Sequence, residues 1–253
     1  MASEPNPRAF ARLWRDSRLE VMLMLAIVQA RMSSTRLPGK VMADLSGAPM
    51  IERQIERIAR ARSITRLVVA TSDREDDAPL ATQLERKGVA VFRGSLTDVL
   101  ARFIGAVEAF GPAAHVMRLT ADCPLTDWRL IDAVAAHHLK GGYDYTSNDL
   151  VRTFAHGLDV EIATTQALRA AHLEADDPAE REHVTPFIYR RPDRFHLGSV
   201  TQTPDQSAHR WTVDTPADLA FVRRVYQRLY SVNPAFTSED VLALDFSHLA
   251  ADA

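Results

Sequence analysis

The sequence of 253 residues predicts an α/β protein with a mixed, mostly parallel sheet and helices on both faces. Short apolar runs typical of buried strands alternate, in the first half of the chain, with segments whose apolar residues recur at helical spacing. Strands and helices in that order build parallel sheets that are covered on both faces. The hydrophobic content of 46% is normal for a protein with one full core.

The first predicted strand, residues 25–28, leads into a basic loop at residues 29–40. The loop carries Arg31, Arg36 and Lys40, three hydroxyl residues and a final Pro-Gly-Lys turn. Arginine presents planar donor forks to phosphate oxygens, and lysine adds a compact charge. The cluster therefore predicts a phosphate site, although any one of these residues could belong to a solvated connection. The loop differs from a Walker loop, which needs a second glycine and a Lys-Ser/Thr pair.

Further strand–helix units follow the loop. Isoleucines at helical spacing predict an amphipathic helix at residues 49–58, and the apolar run 67–71 predicts a second strand. The acidic cluster at 72–77 is compatible with a metal site, but carboxylates before a helix more often stabilise its N-terminus, and we expect that role. The next predicted elements are a helix at 80–87, a strand at 89–92, a helix at 99–110 and a strand at 115–120.

The second half of the chain departs from this alternation. Strands are predicted at 143–148 and 157–162. In the latter, Asp159 and Glu161 alternate with apolar residues and therefore share one face, which is either solvent or a site. The remaining predicted elements are helices at 165–175 and 178–189, a short strand at 210–214, and helices at 219–230 and 238–244.

Asp122 and Asp214 follow the predicted strands 115–120 and 210–214. If both strands belong to the sheet, both carboxylates arrive at the edge where open α/β folds bind ligands. Mg²⁺ is commonly held by one or two carboxylates together with substrate phosphates. These aspartates beside a phosphate loop predict a nucleoside triphosphate with its Mg²⁺. For Asp214 the alternative is a simple helix cap, because a helix is predicted to begin directly after it.

Composition argues against several classes of protein. A net charge of −3 does not favour binding to nucleic acid or to an anionic membrane. The single cysteine, Cys123, excludes an internal disulfide and a Cys-rich zinc site, which fits a cytoplasmic protein. No apolar run reaches the roughly 18 residues of a membrane span. Residues 1–20 are polar and Arg-rich, unlike a secretory signal, so we expect a poorly ordered extension before a single domain at 21–253.

Six segments give the chain a resemblance to a known family: residues 29–40 (QARMSSTRLPGK), 118–125 (RLTADCPL), 145–148 (YTSN), 156–161 (HGLDVE), 181–186 (REHVTP) and 210–216 (RWTVDTP). The first segment is specific because of its fixed spacing, and the others occur in the same order. The chain resembles the cytidylyltransferase family of CMP-sugar-acid synthetases, in particular the SpsF-type branch related to spore-coat polysaccharide synthesis.

This resemblance implies a nucleotide-diphospho-sugar transferase fold of the GT-A, Rossmann-like type. It also implies a Mg²⁺-dependent reaction in which a sugar hydroxyl attacks the α-phosphorus of CTP and pyrophosphate leaves, for surface glycan biosynthesis. The acceptor would be a sugar or sugar acid, bound by a subregion at about 143–205 that also forms a homodimer.

The resemblance and the residue chemistry together give a set of candidate site residues. The predicted catalytic residues are Arg31, Lys40, Asp122 and Asp214, of which Asp122 and Asp214 are the metal ligands. The predicted nucleotide-binding residues are Gln29, Ala30, Arg31, Ser33, Ser34, Arg36, Lys40 and Thr120. The predicted acceptor-binding residues are Asn148, His156, Asp159, Glu161, His183 and Trp211. No general base is evident, and Asp159, Glu161 and His183 are candidates.

Two other functions remain open from the sequence. A glycosyltransferase can use a similar fold but usually carries an Asp-x-Asp metal motif, whereas Asp122 is followed by Cys123 and Pro124. A non-catalytic nucleotide-binding partner in glycan assembly would bind nucleotide without turnover. The base and the acceptor are not fixed by these residues, because a fold alone does not determine a function.

Overall fold

The computed structural model describes residues 23–244, so the predicted extension at 1–20 lies outside the described residues. The strands are β1 (Met24–Gln29), β2 (Arg66–Ser72), β3 (Ala90–Gly94), β4 (His115–Thr120), β5 (Tyr145–Ser147), β6 (Glu161–Thr164) and β7 (Leu197–Ser199). They form one seven-stranded sheet in the order β3-β2-β1-β4-β6-β5-β7. Within this sheet β6 alone runs opposite to the other strands. The predicted fold class is therefore confirmed.

The helices lie between and after these strands. They are α1 (Met50–Ile58), α2 (Ala78–Arg86), α3 (Val99–Phe110), α4 (Trp128–Gly141), α5 (Thr165–Glu174), α6 (Pro178–His183), α7 (Pro186–Tyr189), α8 (Pro216–Leu229) and α9 (Ser238–Leu242). Short 3-10 turns occur at Lys40–Met42 and Glu75–Asp77. Across residues 23–244, every helix is too short or too polar to cross a membrane.

Apolar packing covers both faces of the sheet, as the alternation along β1 shows. Leu25 and Ile27 point into a core formed with α3, α5 and α7. Ala26 and Val28 point into a second core formed with α1, α2 and α4. A third cluster, which includes Trp211, lies under α8 and α9. All four β1 residues are almost fully buried, so β1 is fixed at the centre of the molecule.

The direction of β6 places a carboxylate at the ligand-binding edge. Because β6 is antiparallel, its first residue, Glu161, lies beside the carboxyl ends of its parallel neighbours. Glu161 is in register with Arg118 of β4 and with Ser147 of β5. Gln29 of β1 is in register with Thr120 of β4. Polar side chains from four strands therefore meet along one edge.

Helix α4 was not predicted, although the sequence contains its signals. Apolar residues recur at Ile131, Val134 and Ala135, which face the core. Asp127 caps the helix by accepting a hydrogen bond from the amide of Arg129 at 2.9 Å, and Gly142 ends it in the left-handed conformation. Strand β7 was also not predicted, since its three residues carry no usable pattern.

Three predicted elements differ in the structure. The strand expected at 157–162 begins only at Glu161, as β6. The helix expected at 178–189 is divided into α6 and α7, because Val184 has a positive φ of 73° and Pro186 starts the second helix. The strand expected at 210–214 is wrong, since Arg210 makes only an isolated bridge to His156. The segment passes so close to Gly157 (φ 98°) that a Cβ there would lie 2.8 Å from the carbonyl carbon of Trp211.

Candidate active site

A cleft of about 340 Å³ opens at the carboxyl edge of the sheet, beside the ends of β1 and β4. Residues from the basic loop form one side, and residues around Asp122 and Asp214 form the other. The residues that line it are Gln29, Ala30, Arg31, Ser34, Thr35, Arg36, Lys40, Val41, Arg118, Thr120, Ala121, Asp122 and Asp214. The structure thus brings together every predicted catalytic and nucleotide-binding residue except Ser33.

The basic loop is organised around the peptide of Met32. The carbonyl oxygen of Met32 accepts hydrogen bonds from the amides of Ser34 and Gly39, each at 2.9 Å. Gly39 has a φ of 72°, which a residue with a side chain rarely adopts, and it introduces the turn Lys40–Met42. The loop therefore closes on itself and directs Lys40 toward the cleft.

Asp77 holds the preceding peptide group, between Arg31 and Met32. Its carboxylate accepts a hydrogen bond from the amide of Met32 at 2.6 Å and further hydrogen bonds from the amide and hydroxyl of Ser72. The side chain is fully buried and makes no capping bond to α2. The expected capping role of the acidic cluster is therefore wrong for Asp77, which connects the end of β2 to the basic loop instead.

Lys40 joins the two aspartates. Its Nζ lies 3.0 Å from Oδ1 of Asp214 and 3.5 Å from Oδ2 of Asp122, and it donates to the carbonyl oxygen of Val213 at 2.7 Å. Only 11% of the Lys40 side chain is exposed. The hydroxyl of Thr120 donates to Oδ1 of Asp122 at 2.7 Å. Both carboxylates are therefore fixed at the mouth of the same cleft.

Asp214 reaches this position without belonging to the sheet. The amide of Val213 donates to the carbonyl oxygen of Asp122 at 2.8 Å, which ties the two segments together. The helix cap is made by its neighbours, since Thr215 and Asp218 form a reciprocal capping box at the start of α8. The alternative in which Asp214 merely caps that helix is therefore not what the structure shows.

Asp214 is surrounded by positive charge. Besides Lys40, its carboxylate lies 3.1 Å from Nη2 of Arg36 and 2.6 Å from Nη2 of Arg210. Burial opposes ionisation of the group, but the hydrogen bonds and charges of Lys40, Arg210 and Arg36 outweigh it and lower the pKa of Asp214. The carboxylate is therefore ionised at neutral pH.

The donor set fits a hard divalent cation that is shared with a substrate. Asp122 and Asp214 present carboxylate oxygens close to one Nζ, and no cluster of three or more metal-binding side chains occurs within residues 23–244. Mg²⁺ suits such a site, because it usually takes one or two carboxylates and completes its shell with phosphates and water. Asp122 and Asp214 are the residues that would hold it.

A second cleft of about 390 Å³ lies next to the first, between β5, β6 and the start of α7. Its lining combines charged and hydroxyl side chains with two tyrosine rings. Its lining residues are Arg118, Tyr145, Asp149, Leu150, Glu161, His183, Thr185, Pro186 and Tyr189. Of the predicted acceptor-binding residues, Glu161 and His183 lie here.

Arg118 is the residue that lines both clefts. Its Nη1 is paired with Glu161, and its Nη2 donates to Oε1 of Gln29 at 3.3 Å. Glu161 also accepts hydrogen bonds from the hydroxyls of Tyr145 and Thr185. Burial disfavours the charge on Arg118, but the adjacent Glu161 carboxylate dominates and raises the pKa of Arg118, so the pair stays ionised.

The other predicted acceptor-binding residues lie outside both clefts. Asn148 is fully buried and bonds the backbone of Leu158 and Val160 through its side chain. Trp211 is 3% exposed and packs in the third apolar cluster. Both side chains therefore have structural partners within the fold, and their expected role in acceptor binding stays a prediction.

Two more expected acceptor residues also have other partners. Asp159 lies before β6 and pairs with Arg152 at 2.7 Å, so it does not alternate with Glu161 along one strand. His156 exchanges backbone hydrogen bonds with His209 and Trp211. The sequence missed Arg118, Tyr145, Thr185 and Tyr189 as lining residues, although Arg118, Tyr145 and Thr185 fall within segments that carried the family resemblance.

Comparisons with known proteins identify related chains. The family model described as Cytidylyltransferase matches residues 25–236. The spore coat polysaccharide biosynthesis protein SpsF of Bacillus subtilis is 32% identical over 213 residues, which cover 81% of this chain and 87% of that protein.

Solved structures show the same relationship. A cytidylyltransferase from Leptospira borgpetersenii superposes with a TM-score of 0.82 at 30% identity, covering 87% of this chain and 92% of that one. A CMP:2-keto-3-deoxy-manno-octonic acid synthetase complexed with CTP has a TM-score of 0.61 at 17% identity, covering 82% of this chain and 100% of that one. The latter supports the fold alone.

Proposed function

The chain belongs to the cytidylyltransferase family, and from this premise we propose that it transfers CMP from CTP to a hydroxyl of a sugar acid or related acceptor. The hydroxyl oxygen forms a bond to the α-phosphorus, and the bond from that phosphorus to the bridging oxygen of the β-phosphate breaks. Pyrophosphate leaves with the electron pair, and the hydroxyl proton is lost to the solvent. The product would serve surface glycan synthesis.

One observation carries this proposal: two clefts of different chemistry share a single wall at Arg118. The first holds the cationic loop and the aspartate pair, as a triphosphate requires. The second holds hydroxyls, carboxylate and aromatic rings, as a polyhydroxylated acceptor requires. Transfer between two bound substrates needs their reactive atoms to meet at such a boundary.

The residues of the first cleft have distinct proposed roles. Arg31, Arg36 and Lys40 neutralise the triphosphate, which is most effective where water is excluded. Ala30, Ser34 and Thr120 lie where the nucleotide would contact backbone and hydroxyl groups. Asp122 and Asp214 would hold Mg²⁺, which polarises phosphate oxygens and neutralises charge when it is bound. Lys40 must exchange its carboxylate partners for phosphate as the triphosphate enters.

In the second cleft, the Glu161 carboxylate is not available as a general base. Its carboxylate already accepts hydrogen bonds from Arg118, Tyr145 and Thr185. His183 lies on the same cleft and is exposed, so it is better placed to contact an acceptor. The cytoplasmic location and the homodimer expected from the sequence stay predictions.

Pyrophosphate release tests the proposed function. CTP, UTP, GTP and ATP would each be incubated with Mg²⁺ and a panel of keto-sugar acids and sugar phosphates. We expect release with CTP and a keto-sugar acid, and none when the acceptor is omitted. Transfer from a nucleotide sugar without pyrophosphate would establish the glycosyltransferase alternative. Stabilisation of the fold by CTP without turnover of any acceptor would indicate a binding protein.

A further inference from the structure

We propose that Arg118 is a catalytic residue that binds the α-phosphoryl group during transfer. Nothing in the residue patterns singled it out, but its position is distinctive: it lines both clefts and lies in register with Glu161 at the ligand-binding edge. In the proposed reaction the α-phosphorus is the atom that passes from one substrate to the other. A donor on the wall between the two clefts would therefore contact the α-phosphoryl group as it passes from CTP to the acceptor.

The guanidinium has donors left for a ligand. Nη1 is engaged by Glu161 and Nη2 by Gln29. Nε is buried and has no hydrogen-bond partner within the described residues 23–244. Nε itself lies beneath the surface, so a ligand would be met by the remaining N–H groups of Nη1 and Nη2, since each of these nitrogens carries two hydrogens. A phosphoryl oxygen in the first cleft, which Arg118 lines, is a suitable acceptor, because arginine can donate to it while keeping its other partners.

Glu161 acts as a positioning residue for Arg118. The carboxylate is fixed by the hydroxyls of Tyr145 and Thr185, and it holds the Arg118 guanidinium in a single orientation. Only 15% of the Arg118 side chain and 14% of the Glu161 side chain are exposed. A fork oriented before the substrate arrives needs no reorganisation when negative charge develops on the transferred phosphoryl oxygens.

This inference rests on the proposed function, and two variants test it. Arg118→Lys keeps the charge beside Glu161 but loses the planar fork. The double variant Arg118→Met/Glu161→Gln removes both charges, so no buried carboxylate is left unpaired, and the oxygen of the introduced amide can still accept from Tyr145 and Thr185. We expect kcat to fall about 10²-fold in the first and about 10³-fold in the second.

Nucleotide binding provides a second readout, by titration calorimetry with CMP and CTP. Because both nucleotides contain the α-phosphoryl group, each Arg118 variant should lose the same factor of affinity for both, roughly tenfold. Lys40→Ala should weaken CTP more than CMP, since Lys40 faces the phosphate tail. Glu161→Gln alone should lower kcat with little change in CTP affinity, a separation that a merely destabilising change would not produce.

Arg129→Met is the matched control. Arg129 also pairs with a buried carboxylate, Asp127, but it lines neither cleft. The Arg129→Met variant should bind CMP and CTP with the affinity of the wild type and should have the same kcat. A wild-type kcat in both Arg118 variants, a loss for CTP without a loss for CMP, or a rise confined to the KM of the acceptor would each overturn the assignment.

The two proposals fail in different ways. If the wild-type protein released no pyrophosphate with any acceptor, the proposed function would fail. CMP and CTP binding to the variants would still decide whether Arg118 contacts the α-phosphoryl group. Equal loss for both nucleotides would support that contact, and unchanged affinity for both would exclude it.

Discussion

The polar groups at the two ends of strand β4 differ in charge. At the carboxyl end, Arg118 is paired with Glu161, and Asp122 with Lys40, so charges are kept and balanced. At the amino end, Nε2 of the fully buried His138 lies 2.9 Å from Nδ1 of His115. Its other ring nitrogen, Nδ1, lies 2.9 Å from the hydroxyl of Thr146.

His138 is uncharged at neutral pH for a physical reason. Burial disfavours the imidazolium, and the neighbouring imidazoles of His115 and His137 add to the effect, so the pKa of His138 falls to about 3. At the amino end, His138 is thus a buried, neutral side chain that is held by hydrogen bonds and serves packing. The carboxyl end holds ion pairs on cleft walls, whose members can exchange partners with a charged ligand.

The strongest test of this contrast removes a charge from the carboxyl end. Asp122→Asn and Asp214→Asn keep the shape of the side chain and lose its charge. If these carboxylates hold Mg²⁺, turnover should fall at least about 10³-fold, because a metal ion supplies several kcal/mol of charge stabilisation. The measurement is pyrophosphate release against Mg²⁺ concentration, with the melting temperature recorded for each variant.

Asp240→Asn is the control for the aspartate variants. Asp240 forms a capping box with Thr237 at the start of α9, as Asp218 does at the start of α8, but it lies away from both clefts. Its loss should cost about 1 kcal/mol of stability and leave turnover unchanged. Wild-type turnover in both Asp122→Asn and Asp214→Asn would show that neither carboxylate is a metal ligand.

A smaller effect is expected where a buried charge supports the site without touching the cleft. Asp77→Ala removes the acceptor that fixes the Met32 amide, so the basic loop should lose its closed shape in part. We expect the affinity for CTP to fall roughly tenfold, the scale of one hydrogen bond to a charged group, while kcat at saturating CTP changes little. Titration calorimetry and steady-state kinetics separate these two quantities.

Asp132→Ala is the matched control for Asp77→Ala. The carboxylate of Asp132 also accepts hydrogen bonds from two backbone amides, those of Arg62 and Ser63, in the loop after α1. Both variants should lose some stability, but only Asp77→Ala should weaken CTP binding. Equal CTP affinity in the two variants would mean that the Asp77 contact is unimportant for the loop.

The sequence predicted the parts of this site that depend on local chemistry. The basic loop follows a buried strand, so its position at the sheet edge could be inferred before the fold was known. Asp122 could be placed in the same way. Asp214 was placed correctly at that edge for a wrong reason, because its segment is held by the Val213 bond to Asp122 and not by a strand in the sheet.

Contacts between distant segments could not be predicted from the sequence. Arg118 and Glu161 meet only because β6 runs antiparallel to β4, and strand direction depends on the whole topology. Asp77 reaches Met32 across 45 positions of sequence, so the local pattern favoured the cap. Asn148 has the composition of a site residue, but its register beside β6 turns its amide toward the backbone.

The smallest expected effect concerns the neutral His138 at the amino end. The unfolded chain binds a proton at His138 near the ordinary pKa of 6.5, whereas the folded chain resists protonation until about pH 3. Stability is therefore complete above pH 6.5 and decreases as the pH falls below it, by up to about 1.4 kcal/mol per pH unit for this group.

His138→Gln should remove this dependence. Urea unfolding at pH 7.0 and 5.5 should show that the wild type loses about 1 kcal/mol more than the variant over this interval. The exposed His209 gives the control, because His209→Gln should keep the wild-type dependence on pH. The same slope in all three proteins would mean that His138 accepts a proton in the folded state, and the amino end would then tolerate charge as the carboxyl end does.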